Sequence, residues 1–147
     1  MTELKIPGPL REIIEDFQFV EGREKLELLL EYAEKLPPLP DHLVGKHEAM
    51  DQVEECMTPV FVYAELNNGR MRFYFDVPRE SPTVRGYAAV MQEGLDGATP
   101  EEVLKLPSDF FMEMGLHEVL TQQRLNGISA ILAHMKGLAI KAEVSKQ

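Results

Sequence analysis

From Gly8 to Val20 the apolar residues Leu10, Ile13, Ile14 and Phe17 recur at i, i+3, i+4 and i+7, the spacing of one helical face. Gly22 breaks that run. A second helix is predicted over about 23–36, with Leu26, Leu29, Leu30 and Ala33 on its core face and Leu28 and Tyr32 beside them. Leu36-Pro37-Pro38-Leu39-Pro40 then ends helical structure, because proline removes amide donors and fixes φ. Farther on the period becomes two. Val60, Val62, Ala64 and Leu66 alternate with Phe61, Tyr63 and Glu65, and Met71, Phe73 and Phe75 alternate with Arg70, Arg72 and Tyr74. Asn67-Asn68-Gly69 lies between the two runs and suits the positive φ values of a type I′ turn. A hairpin of 60–66 and 70–77 is therefore predicted.

The helical period returns after Pro78. Ser81-Pro82 reads as an N-cap with proline at N1, opening a helix through Val84, Tyr87, Ala88, Val90, Met91 and Leu95 that stops at Gly94 or Gly97. Thr99-Pro100-Glu101-Glu102 spells a capping box for a short helix reaching Leu106. Ser108 to Met114 reads as one more helical turn, closed by Gly115. Thr121 caps a long terminal helix whose core stripe is Leu125, Ile128, Ile131, Leu132, Met135, Leu138 and Ala139. No repeat, low-complexity tract or linker divides the chain. The prediction is one α+β domain over 1–147: a small antiparallel sheet, the hairpin with room for a third strand, packed against several helices.

The stretch 41–58 carries no clean period and reads as an ordered loop with a helical turn near 48–53. It holds most of the candidate chemistry: Asp41, His42, His47, Glu48, Asp51, Glu54, Glu55 and Cys56. Cys56 is the single cysteine of 147 residues, so no internal disulfide is available and the cytoplasm is the expected compartment. The five N-terminal residues lead into acids rather than the apolar core of a secretory leader, and no run suits a membrane span. With 25 acids against 15 bases the net charge is −10. That balance repels phosphate backbones, and no basic run offsets it, so nucleic acid is not an expected partner. A generic acidic surface accounts for most of this charge, which keeps the chain in solution and can also steer it towards a basic patch on a protein partner.

Metal binding by His42, His47, Asp41, Glu48 and Cys56 matches no standard ligand spacing, and one thiol falls short of the usual structural zinc set. An Fe–S cluster needs more cysteines than one chain supplies. Cysteine-protease chemistry would pair Cys56 with His42, His47, His117 or His134, but no local signature surrounds the cysteine. Glu54 and Glu55 beside it oppose thiolate formation unless Arg85 or Arg124 folds nearby. A buried, inert cysteine in a plain interaction module remains open on these residues alone.

Taken in order, several segments together resemble a SufE-type sulfur acceptor protein over about 24–140. They are the leucine-rich helix and Leu-Pro-Pro-Leu-Pro; Val53-x-x-Cys56-x-x-x-Val60; Val84-Arg85-Gly86; Thr99-Pro100-Glu101-Glu102-Val103-Leu104; and Leu120-Thr121-x-x-Arg124-x-x-Gly127. The resemblance implies a SufE/IscU-like fold. It implies that Cys56 accepts persulfide sulfur from a SufS-type cysteine desulfurase, stimulates that enzyme, and passes the sulfur to a SufB-like scaffold. It places Arg124, Glu80 and Arg85 on the partner-facing side and Cys56 on a loop tucked against an apolar patch. It implies no cofactor in this chain, since pyridoxal phosphate belongs to the desulfurase. It leaves a homodimer open. Glu54-Glu55 departs from the family pattern, where small or uncharged residues often precede the cysteine. A cluster scaffold of the IscU/NifU kind is the related alternative, set aside by the cysteine count.

Overall fold

The computed structural model describes residues 6–145; the N-terminal stretch 1–5, on which the expectation about a secretory leader rests, lies outside them. The chain opens with α1 (Gly8–Phe19) and α2 (Arg23–Lys35). On α1 the predicted face is the buried one: Leu10, Ile13, Ile14 and Phe17. On α2 the buried face is rotated from the prediction. It comprises Lys25, Leu29, Tyr32 and Ala33, while Leu30 is exposed and Leu26 only half-buried. Lys25 accounts for the rotation. Its Nζ donates bonds of 2.7 Å to the carbonyls of Phe17 and of Val20, at the end of α1. Carbonyls there lack helical partners, and a cation is favoured beside them. Counting apolar residues cannot find a lysine that turns inward for this reason.

The sheet is three-stranded and antiparallel, in the order β1 (Asp51–Gln52), β2 (Phe61–Asn67), β3 (Arg70–Asp76). The predicted hairpin is present, with Val62 opposite Phe75, Ala64 opposite Phe73 and Leu66 opposite Met71. Its turn carries positive φ at Asn68 (53°) and Gly69 (79°), as the Asn-Gly pair requires. The helical turn expected near 48–53 is a 3₁₀ turn at His47–Ala49, and the residues after it form the short β1 instead. Val62, Met71, Phe73 and Phe75 are buried on the inner face of the sheet. Two helices cover the sheet: α3 (Pro82–Leu95) packs on β3 and α5 (Gln122–Ser145) on β2.

α3 is the centre of the molecule, with α1 and α2 on its other sides. Two glycines set how closely they approach. A Cβ at Gly86 would lie 2.2 Å from the Leu29 carbonyl oxygen, and one at Gly94 would lie 3.0 Å from Leu10 Cα. Ser81 stands at the N-cap position of α3 as predicted, with Pro82 behind it, but its side chain makes no capping bond. The Thr99 box is complete: Glu102 N–H donates to Thr99 Oγ1 at 3.2 Å and Thr99 N–H to Glu102 Oε1 at 2.9 Å. The helix it opens, α4 (Pro100–Leu104), stops two residues short of Leu106. The predicted turn before Gly115 is a 3₁₀ segment, Phe110–Met114, and Gly115 closes it at φ 71°. Of the stripe predicted for α5, all but the half-buried Leu138 are fully buried. Among the described residues no helix is long and apolar enough to cross a membrane.

Candidate functional site

Cys56 stands on a loop pinched at its base. Val53 N–H donates to the Val60 carbonyl at 2.8 Å, and both valines are fully buried, so the residues between them project together from the start of β2. Cys56 N–H turns back to the Val53 carbonyl at 3.2 Å. That turn aims the side chain at α5, where Cys56 Sγ donates to the Gly127 carbonyl at 3.4 Å. The thiol is half-buried, whereas its neighbour Met57 is 79% exposed. Gln123, one turn before Gly127, donates its Nε2 to the Met57 sulfur. Gly127 leaves room for the sulfur: a Cβ there would stand 3.3 Å from Cys56 Sγ, so the loop would have to give by a few tenths of an ångström.

A cleft of about 210 Å³ opens beside the sulfur. Its walls are Cys56, Met57 and Thr58 from the loop, Glu80, Ser81 and Val84 from the start of α3, and Gln123, Arg124 and Gly127 from α5. Of the residues singled out from sequence, Cys56, Glu80 and Arg124 thus meet around one cavity. Arg124 is held by its Nη1 bond to Thr83 Oγ1 at 2.8 Å, which ties the first turn of α5 to the first turn of α3. Arg85 does not reach the cleft. Its guanidinium donates to the Ala33 carbonyl at 3.1 Å and the Val77 carbonyl at 2.8 Å, joining α2 and the end of the sheet to α3.

The electrostatics of the resting loop disfavour a thiolate. Burial, and then the Glu55 carboxylate next to it, push the Cys56 thiol up to about 11. Glu55 itself is held below the ordinary carboxylate range, first by its own backbone amide and then by His134. His134 on α5 faces two carboxylates, with Nδ1 at 2.6 Å from Asp51 Oδ2 and Nε2 at 3.0 Å from Glu55 Oε1. The sequence named His134 only as a distant partner for a nucleophile; what it lacked was the pairing of β1 with β2, which brings Asp51 opposite Val62 and so next to α5.

The other histidines go elsewhere. His42 pairs with Glu65 at 3.1 Å and lies edge-on to Tyr63 and Tyr74. His47 pairs with Asp76 at 2.6 Å and stacks on Phe61. His117 is in the 3₁₀ turn Leu116–Glu118. Among the described residues no three histidine, cysteine or carboxylate side chains are grouped so as to hold a metal ion. The arrangement supplies one nucleophilic sulfur, an adjoining cleft with a cation and an anion on its walls, and an exposed thioether at the rim.

Comparison with known proteins agrees with this frame. The family model of the SufE domain, described as an Fe–S metabolism associated domain, matches residues 11–139. An uncharacterized SufE-like protein of Mycobacterium tuberculosis is 42% identical over 132 residues, covering 89% of this chain and 91% of that one. A cysteine desulfuration protein SufE of Plasmodium vivax is 25% identical over 144 residues, covering 95% of this chain and 56% of that longer one. The solution structure of a hypothetical protein from Thermus thermophilus superposes with a TM-score of 0.83 at 38% identity, over 95% of this chain and 99% of that one.

Proposed function

Because the chain belongs to the SufE family, whose domain is associated with Fe–S metabolism, we propose that it is a cytoplasmic sulfur carrier with Cys56 as the acceptor. The observation that carries this reading is the placement of the chain's single cysteine, at the tip of a pinned loop, beside the cleft walled by Glu80 and Arg124. The donor is a SufS-type cysteine desulfurase bearing a cysteine persulfide, and the recipient is a SufB-like scaffold.

In the transfer, Cys56 gives up its proton and its thiolate attacks the terminal sulfur of the donor's Cys–S–SH. The donor's S–S bond breaks as the new one forms, the donor cysteine leaves as a thiolate and takes up a proton, and Cys56–S–SH remains. No electron enters or leaves the pair, so no cofactor is needed in this chain. The rate of such exchange depends on the attacking sulfur being a thiolate with open approach to its target. A resting thiol pushed up to about 11 and facing Gly127 meets neither condition. Docking therefore has to draw Cys56 away from Glu55 and α5, towards the donor. Resting inactivity protects the thiol from stray oxidants and disulfides.

The docking face comprises Glu80, Arg124 and the exposed Met57 around the cleft. Arg85, engaged by two backbone carbonyls, acts within the fold. The test is desulfurase turnover, read as alanine formed from cysteine. The wild-type protein should raise it and Cys56→Ser should not. Arg124→Glu should reach the same plateau only at higher carrier concentration, about tenfold for a lost charge contact of the interface. Equal stimulation by wild type and Cys56→Ser would remove the acceptor role and leave an interaction module with a structural cysteine.

A further inference from the structure

On the side of the loop away from the cleft, His134 joins two residues that the transfer chemistry does not use. We propose that His134 is the positioning residue that keeps Cys56 seated against α5. Its imidazole ties Asp51 and Glu55, the two ends of the segment entering the cysteine, to the helix whose Gly127 carbonyl receives the thiol. The proposal deepens the acceptor reading and rests on it.

The geometry requires a charged ring. Ionised carboxylates only accept hydrogen bonds, so both contacts, 2.6 Å to Asp51 and 3.0 Å to Glu55, are satisfied together only when both ring nitrogens carry protons. A neutral ring has one N–H, and its other nitrogen then turns a lone pair towards a carboxylate. The Glu55 arm is the weaker one, being longer and with a side chain 57% exposed against 36% for Asp51. Loss of one proton therefore releases Glu55, the residue joined to Cys56. His134 follows Gly127 by seven residues, two turns along the same face of α5, so the histidine and the thiol's carbonyl partner grip the loop about 10 Å apart. The hollow at the imidazole is walled by Asp51, Glu55, Ala133, Gly137, Leu138 and Lys141, so two carboxylates and one ammonium line it and no residue of β2 does. Burial works against the charged ring, but the bonds to Asp51 and Glu55 outweigh it and the His134 pKa stands above its ordinary value. The imidazolium therefore persists to higher pH than in a free histidine, and the hold weakens as pH rises through that raised value.

Alkylation of Cys56 by iodoacetamide, followed from pH 6 to pH 9 in wild type and His134→Gln, tests this without a desulfurase. The ratio of the two rates cancels the intrinsic ionisation of the thiol. It should be roughly fivefold at pH 6, where the variant lacks a charged hydrogen bond, and fall towards one once the wild-type ring is neutral. A ratio of one at pH 6, or one that does not change with pH, would overturn the proposal. Nuclear magnetic resonance of the wild-type protein gives the same answer with no variant to fold: the Cys56 amide should titrate with the inflection of the His134 ring, and an amide that ignores it would also overturn the proposal. Failure to take up sulfur would strike the acceptor reading instead, and would leave these two results unchanged.

Discussion

At the scale of single residues, the Cys56 sulfur is restrained at rest. Burial and Glu55 both favour the neutral thiol, which places its titration near 11 rather than at the usual cysteine value. Below pH 8 iodoacetamide should therefore alkylate the folded protein more than about tenfold slower than the urea-unfolded chain. Thiolate absorbance should rise only towards pH 11. Equal rates for folded and unfolded protein would show that the loop does not shelter the sulfur. The sign for stability is fixed by the same shift. A group whose pKa is raised by folding contributes fully below its unfolded value and loses that contribution as pH rises through the folded one. Cys56 accordingly begins to weaken the fold as pH rises past its unfolded value near 9, and does so fully by about 11. His134, also raised, contributes fully below the ordinary histidine value of about 6.5 and loses its share as pH rises through its raised one.

At the scale of elements, two glycines on neighbouring helices give opposite expectations. Gly86→Ala on α3 would drive a Cβ to 2.2 Å from a backbone oxygen of α2, which cannot swing aside, and should destabilise by about 3 kcal/mol in urea unfolding. Gly127→Ala meets the Cys56 sulfur at 3.3 Å, on a loop that can yield. Its fold should be kept, with up to about 1 kcal/mol gained from helix propensity, while Cys56 becomes more accessible to alkylation. Identical outcomes for the two variants would contradict this reading of the contacts. The helices and the hairpin were legible because each carries its own period and its own stop: the Asn68-Gly69 turn, the Thr99 box and the α5 stripe depend on local residues. The α2 face was not legible, because Lys25 buries for the sake of α1's carbonyls. Nor was the missing capping bond of Ser81, which stands at the N-cap position without making it. Around Cys56, the resemblance to SufE-type acceptors singled out Arg124, Glu80 and Arg85; Arg124 and Glu80 line the cleft, whereas Arg85 is engaged by the carbonyls of Ala33 and Val77. The carbonyl of Gly127 and the Asp51–His134–Glu55 bridge depend on β1 pairing with β2, across separations that no local pattern encodes.

At the scale of the whole molecule, the sheet and α5 hold the cysteine loop on one side while α1, α2 and α3 form the mass behind it. A net charge of −10 surrounds this frame. Association with a basic docking patch should slow as ionic strength rises from low salt to about 0.5 M, where exposed charges are screened beyond a few ångströms. An association rate indifferent to salt would mean that docking rests on the apolar rim, Met57 included. The central claim is that sulfur comes to rest on Cys56. The most direct measurement is intact mass after incubation with a SufS-type desulfurase and free cysteine, with Cys56→Ser alongside. Wild type should gain one or more sulfur atoms that a reductant removes, and Cys56→Ser should gain none. An unchanged wild-type mass beside a turning-over desulfurase, or an equal gain on Cys56→Ser, would contradict it.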